Sequence, residues 1–205
     1  MTSVPQPVWL RHSDGSPVAA SLVRGLNEQH IELWRAHWYP AREAALSKQA
    51  ASGQKLPEHA RWDWERKLRK VTGLLGFAGY AIECDGIPQG LMLLDLNQTA
   101  KVSKQKGKPL VYVQYVEVAP WNSELLVKPI RYRGVGSLLI RAAIERSIDE
   151  EFHGRVGLVA LPQAEGFYRN TIGMTDLGPQ LEAQGLRYFE LTEAQAKAFV
   201  AKTGG

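Results

Sequence analysis

Between residues 110 and 161 the hydrophobic period of the chain changes twice, and this constrains the fold more than any other feature. LVYVQYVEV (110–118) is apolar on both alternating faces, the pattern of a strand covered on both sides. After Arg133 the period turns helical. Val135, Leu138, Leu139 and Ala142 recur at three- and four-residue steps, and Ser137, Arg141, Glu145 and Asp149 form the opposite stripe. RVGLVAL (155–161) then reads as a second buried strand. Strand, helix and strand in this order predict a parallel or mixed sheet with helices on both faces.

The flanking segments fit around that unit. VWLR (8–11) reads as a short strand. Two tryptophan-rich stretches are helical, one over about Asn27–Lys48 with Pro40 breaking or kinking it, the other over about Pro57–Thr72 with Pro57 in its first turn. ASGQK (51–55) is a loop between them. YAIEC, Asp85-Gly86 and IPQGLMLLDL (80–96) give a two-residue hairpin. Lys101, Lys104, Lys106 and Lys108 mark the connection to the 110–118 strand. That loop is a solvated tip or a contact for an acidic partner or RNA. A short helix is expected around Glu165–Thr171, a strand at LRYFEL (186–191), and a last helix opening at Thr192 with a capping box to Gln195. With 205 residues and neither repeat nor linker, one domain over 1–205 is expected.

Bulk properties exclude some classes. The start MTSVPQPVWLRHSDG has no apolar run of the signal-peptide kind, and no stretch approaches the ~18 apolar residues that span a bilayer. The single cysteine, Cys84, allows no internal disulfide and suits a cytoplasmic location. His12, His30, His37, His59 and His153 show no metal-ligand spacing, so no metal is expected. A formal charge of +4 admits an anionic ligand without requiring nucleic acid.

The stretch RYRGVGSLLIRA (131–142) places two arginines and two glycines at the start of the helix. Glycine costs about 0.5–1 kcal/mol relative to alanine inside a helix, so something must offset Gly134 and Gly136. A buried strand, a glycine turn and a helix start form an anion site, because unpaired amides converge there and the dipole adds positive charge. The alternative is a solvated turn with Gly136 permitting close packing. No Gly-Lys-Ser/Thr follows, and no third glycine with an acid about 20 residues on, so neither a Walker loop nor a dinucleotide fingerprint fits.

The order of motifs decides between these. V-E-V-A-P (116–120), R-x-x-G-x-G (131–136) and A-E-G-F-Y-R-N-T-I-G-M (164–174) together resemble the GCN5-related N-acetyltransferase (GNAT) family over about residues 79–191. The resemblance implies a single mixed, mostly antiparallel sheet splayed between two central strands. It also implies an acceptor-side helical region at about 1–78, an acetyl-CoA-binding core at about 79–191 and a C-terminal helix at 192–205. In this family the loop holds the pyrophosphate of acetyl-CoA, which assigns Arg131, Tyr132, Arg133, Gly134, Val135, Gly136 and Ser137 to cofactor binding. Val116 and Val118 would pair with the pantetheine arm, and Tyr168 would protonate the departing thiolate. Glu117 is the candidate base for the acceptor amine, although strand alternation turns it away from Val116 and Val118 unless a bulge intervenes. Waters held by Gln114 or Tyr115, Glu165, and a plain structural role for Glu117 stay open.

The implied activity is transfer of acetyl from acetyl-CoA to a small-molecule or protein amine in a ternary complex, without membrane or metal, by a monomer or homodimer. An aminoacyl-tRNA-acetylating enzyme and a non-catalytic acyl-CoA-binding module are the alternatives. Two departures from the family pattern stand out. WNSELLVKPI (121–130) is an insertion, and Leu161 stands where an asparagine is common. Trp34, Trp38, Trp62 and Trp64 either wall an acceptor pocket or fill the core.

Overall fold

A computed structural model describes residues 4–51, 53 and 62–203. Its strands are β1 (Gln6–His12), β2 (Pro17–Arg24), β3 (Phe77–Cys84), β4 (Ile87–Thr99), β5 (Pro109–Val118), β6 (Tyr132–Arg133), β7 (Val156–Ala160), β8 (Thr175–Pro179) and β9 (Arg187–Leu191). They form one mixed sheet in the order β6-β1-β2-β3-β4-β5-β7-β9-β8. β5 and β7 run parallel, whereas β1 with β2 and β6, β2 with β3, and β9 with β7 and β8 are antiparallel. The flanking helices are α1 (Glu28–Leu33), α2 (Tyr39–Ala51), α3 (Trp64–Val71), α4 (Val135–Asp149) and α5 (Glu193–Thr203). The chain falls into two compact units, Met1–Met92 with Val116–Leu139, and Leu93–Tyr115 with Ile140–Gly205.

In the first unit, β2 is a strand that the sequence pattern does not show. Its small residues, PVAASLVR, alternate only weakly, and it exists by pairing Ala20 with Val8 and Leu22 with Gln6. The expected kink at Pro40 is a π-helical turn over Trp34–Trp38. Tyr39 N–H donates to Trp34 O, five residues back, in the turn before the proline whose ring would crowd a regular helix. The second tryptophan-rich helix begins at Trp64, with Asp63 as its N-cap receiving Arg66 N–H at 3.0 Å. The expected first turn at Pro57, most of the 51–55 loop and His59 lie outside the described residues. The hairpin turn is at Asp85-Gly86 as expected, both at positive φ.

Gly90 on β4 fixes the seat of the first turns of α4. A Cβ there would lie 2.6 Å from Val135 Cγ1 and 2.8 Å from Leu139 Cδ1, so only glycine lets these side chains approach. Gly90→Leu is therefore expected to cost about 1–3 kcal/mol by overpacking, read as a lowered denaturation midpoint with unchanged slope.

In the second unit, β5 and β7 pair only at Val111↔Val156 and Tyr112↔Gly157, although β5 continues to Val118 and β7 to Ala160. The Tyr112 hydroxyl hydrogen-bonds the backbone of Val159, and its ring stacks on Tyr188 at 6.5 Å. Ser147 Oγ donates to Arg155 O at 2.8 Å, and Arg155 Nε to Pro109 O at 2.8 Å, tying the end of α4 to the start of β5.

Glu190 is fully buried and satisfied by four donors. They are the backbone N–H groups of Lys101 (2.7 Å) and Val102 (3.0 Å), Gln105 Nε2 (2.8 Å) and the Tyr188 hydroxyl (3.0 Å). The lysine loop is thereby pinned to β9. Lys101 Nζ lies 4.7 Å from the centre of the Tyr188 ring and reaches Gln180 Oε1 at 3.0 Å. Lys104, Lys106 and Lys108 stay exposed. The capping box that opens α5 is formed: Thr192 N–H meets Gln195 Oε1 at 2.9 Å, and Gln195 N–H meets Thr192 Oγ1 at 3.3 Å.

Candidate active site

The glycine loop is built from one end of β5 to the start of α4. Ala119 N–H donates to Gln89 O at 2.9 Å as the chain leaves β5. Gln89 Oε1 then accepts Trp121 Nε1 at 2.8 Å and Asn122 Nδ2 at 3.1 Å. Asn122 Oδ1 takes the Tyr132 amide at 3.0 Å, and Trp121 O takes the Arg131 amide at 2.8 Å. The insertion thus begins as a clamp on the loop, and Gln49 Nε2 of α2 holds it again at Leu125 O. Gln89 and Asn122 were missed from sequence. The available signal was a glutamine inside an otherwise apolar strand.

Past the clamp, Tyr132 and Arg133 pair with His12 and Arg11 of β1. Gly134 follows at φ +93°, a conformation that L side chains rarely adopt. A Cβ there meets nothing within 4 Å, so the need for glycine is conformational. Leu138 N–H closes the first helical bond to Gly134 O at 3.0 Å. The amides of Val135, Gly136 and Ser137 precede that bond and have no intrahelical acceptor, while the helix dipole adds partial positive charge. The Tyr132 amide is already spent on Asn122. Arg131 lies over the Trp121 ring at 5.5 Å, and Arg133 forms an exposed pair with Glu124 at 3.5 Å, a geometry worth little in stability.

Glu117 is buried, and its half-buried neighbours Val116 and Val118 keep the strand alternation. Its carboxylate accepts Trp64 Nε1 at 2.6 Å and Arg42 Nη1 at 3.5 Å. Burial pushes its pKa up to about 7, against the Trp64 hydrogen bond and the charges of Arg42 and Lys67. Half-burial in turn lowers Lys67 to about 8, with Glu117 opposing that shift. The Arg42 guanidinium lies 5.4 Å over the Trp34 ring, and Lys67 Nζ lies 4.1 Å over Trp62. Trp34, Trp38 and Trp64 are buried, and Trp38 Nε1 donates to Pro88 O at 2.7 Å. Trp34, Trp38 and Trp64 therefore fill the core, and Trp64 also holds the Glu117 carboxylate. Sequence reasoning missed Arg42, although a charge four residues after Trp38 on the Trp34–Trp38 stripe was the signal for it.

In the second unit Tyr168 is the second residue of a π-helical turn over Phe167–Ile172 that ends at Gly173. It is buried, with its ring 5.2 Å from Phe167 and 6.0 Å from Phe189. Burial pushes its phenol up, so the hydroxyl keeps its proton at any working pH. Glu165, a rival base, faces Arg169 at 3.5 Å. Gln114 is exposed and Tyr115 half-buried on β5. The Cys84 thiol is pushed up by burial and lies 3.8 Å from the Tyr132 hydroxyl, which makes it a poor nucleophile.

Among the described residues no helix is long and apolar enough to cross a membrane. No family model matches the chain, and no curated protein matches it significantly in sequence. Solved structures do match. The GNAT domain of PAT from S. lividans is 16% identical, with a TM-score of 0.52 over 91% of this chain and 96% of that domain. RimJ of Mycobacterium smegmatis, solved with coenzyme A disulfide, is 15% identical, with a TM-score of 0.51 over 97% of this chain and 94% of its own. An uncharacterised protein of Bacillus halodurans reaches a TM-score of 0.60 at 8% identity, covering 97% of this chain and 95% of its own. At such identities the match speaks for architecture alone, and it agrees with the order of strands in the sheet: this chain has the fold of the GCN5-related N-acetyltransferases.

Proposed function

We propose that the protein is a cytoplasmic GNAT-family enzyme, one domain over residues 1–205, that transfers acetyl from acetyl-CoA to an amine in a ternary complex. One observation carries the reading. A glycine at φ +93° opens α4 directly after a clamped turn, leaving the Val135, Gly136 and Ser137 amides without an intrahelical acceptor and so available to an anion. Those amides and the Ser137 hydroxyl would hold the pyrophosphate, Arg131 and Arg133 would attract it, and Tyr132 would position the loop. Val116 and Val118 would pair with the pantetheine arm.

In the transfer, Glu117 acts as base through a water, because the unbroken alternation of β5 turns its carboxylate to the face opposite Val116 and Val118, and the amine freed of one proton attacks the thioester carbonyl. An N–C bond forms as the C–S bond breaks. The amine's second proton passes to the departing sulfur, with Tyr168 donating a hydrogen bond to it or relaying that proton, so coenzyme A leaves as a thiol and the phenol is regenerated. No metal or resident cofactor enters the step. The buried, protonated Cys84 gives no support to an acetyl-cysteine intermediate.

Acetyl-CoA at about 100 times its Kd should stabilise the protein by about 2.7 kcal/mol, seen as a raised Tm. Gly134→Val forces a β-branched residue toward positive φ, so this variant should lose the ligand-induced shift. Thiol release across an amine panel should be lost with it. Equal stabilisation of both proteins by acetyl-CoA would overturn the assignment of the loop.

A further inference from the structure

The Glu117 carboxylate is held tightly at one oxygen and loosely at the other. Trp64 is the first residue of α3, set there by the Asp63 cap, and it is fully buried. Its Nε1 donates to Glu117 Oε2 at 2.6 Å, short in the way of hydrogen bonds to an ionised acceptor. The contact at Oε1 is Arg42 Nη1 at 3.5 Å, a distance at which little of a hydrogen bond remains. An indole N–H can only donate, so it favours the ionised carboxylate over the protonated one. Arg42 on α2 and Lys67 on α3 are the charged groups that also face Glu117, and both act in that direction against burial. Lys67 is divided between Glu117, Asp63 and its like-charged neighbour Lys70. Trp64 is thus the strongest single partner of the ionised form.

We propose that Trp64 is a positioning residue for Glu117: its indole N–H tethers Oε2, keeps the carboxylate ionised and leaves Oε1 as the atom that takes the proton. No ligand has to enter the buried cluster for this, because only a proton is exchanged. The consequence for turnover rests on the reading of Glu117 as the base; the control of its ionisation does not.

The test titrates the carboxyl itself. In the full chain labelled with carbon-13 at the glutamate δ-carbon, the resonance missing from Glu117→Gln belongs to Glu117. In the wild type it should titrate at about 7. Trp64→Phe keeps a ring and deletes the donor, so the midpoint should rise to about 8 or above, a hydrogen bond to a charged group being worth a factor of about ten or more in ionisation. The acidic limb of the pH–rate profile should move up with it, turnover falling about tenfold near pH ~6.5 and recovering as pH rises. A defect of packing would instead lower turnover equally at every pH. In a Glu117→Gln background Trp64→Phe should add no pH dependence, because the carboxyl it acts through is gone. If Trp64→Phe does not fold, benzothienylalanine at position 64 decides, since it replaces the N–H by sulfur at nearly constant volume. An unmoved midpoint would overturn the proposal, whatever the rate does. A midpoint that moves while the acidic limb stays in place refutes Glu117 as the base and leaves Trp64 in control of its ionisation.

Discussion

Glu117→Gln is expected to lower turnover by about 10²-fold or more, the usual contribution of a positioned base, and to erase the acidic limb of the pH–rate profile. The carboxyl is pushed up to about 7 chiefly by burial. Below that pH it holds its proton and cannot accept one, so wild-type activity should rise with pH through about 7. Glutamine has no such transition. The same shift leaves a mark on stability. A carboxyl whose folded pKa lies above its unfolded value contributes stability that is fully present below the ordinary carboxylate range. That contribution is lost as pH rises through about 7. The wild type should therefore lose stability across that window and Glu117→Gln should not, as urea titrations at stepped pH would show. Unchanged turnover and an intact acidic limb would move the base to Glu165 or to waters at Gln114 and Tyr115.

Tyr168→Phe is expected to reduce turnover by a similar factor of about 10² while leaving the Tm and the acetyl-CoA-induced shift in place. The ring that packs on Phe167 and Phe189 is retained, and only the hydroxyl is removed. Because burial raises the phenol, its effect should be flat across neutral pH, unlike that of Glu117. Stopped-flow thiol release would show the loss directly. Normal release by Tyr168→Phe would make the residue a packing aromatic.

The parts of the fold legible in the sequence are those whose signals are local. The Asp85-Gly86 turn, the apolar run of β5, the stripe of α4 and the box at Thr192 each declare themselves within a few residues. β6 consists of two residues and exists only because Arg133 and Tyr132 meet Arg11 and His12. β2 likewise needs its partners. The candidate site divides in the same way. The glycine loop is written in consecutive residues, whereas the pairing of Arg42 with Glu117 joins positions 75 apart in the chain and leaves no periodic trace. The clamp of Gln89 on Trp121 and Asn122 is equally non-local, which is why the insertion could be noticed but not interpreted.

The wide turn at Trp34–Trp38 sets the angular phase of the helix that follows. In a regular helix each residue turns the chain by about 100°, so side chains spaced four apart drift steadily around the axis. The five-residue hydrogen bond from Tyr39 to Trp34 absorbs part of that drift, and Trp34, Trp38 and Arg42 all end on the buried side. The segment thus behaves like a gear with a single extra tooth. Gaining or losing one residue among the exposed positions 35–37 would leave a helix intact while rotating everything after it. The group offered to Glu117 could then be exchanged without redesigning the scaffold, which gives this architecture an inexpensive way to change what it accepts.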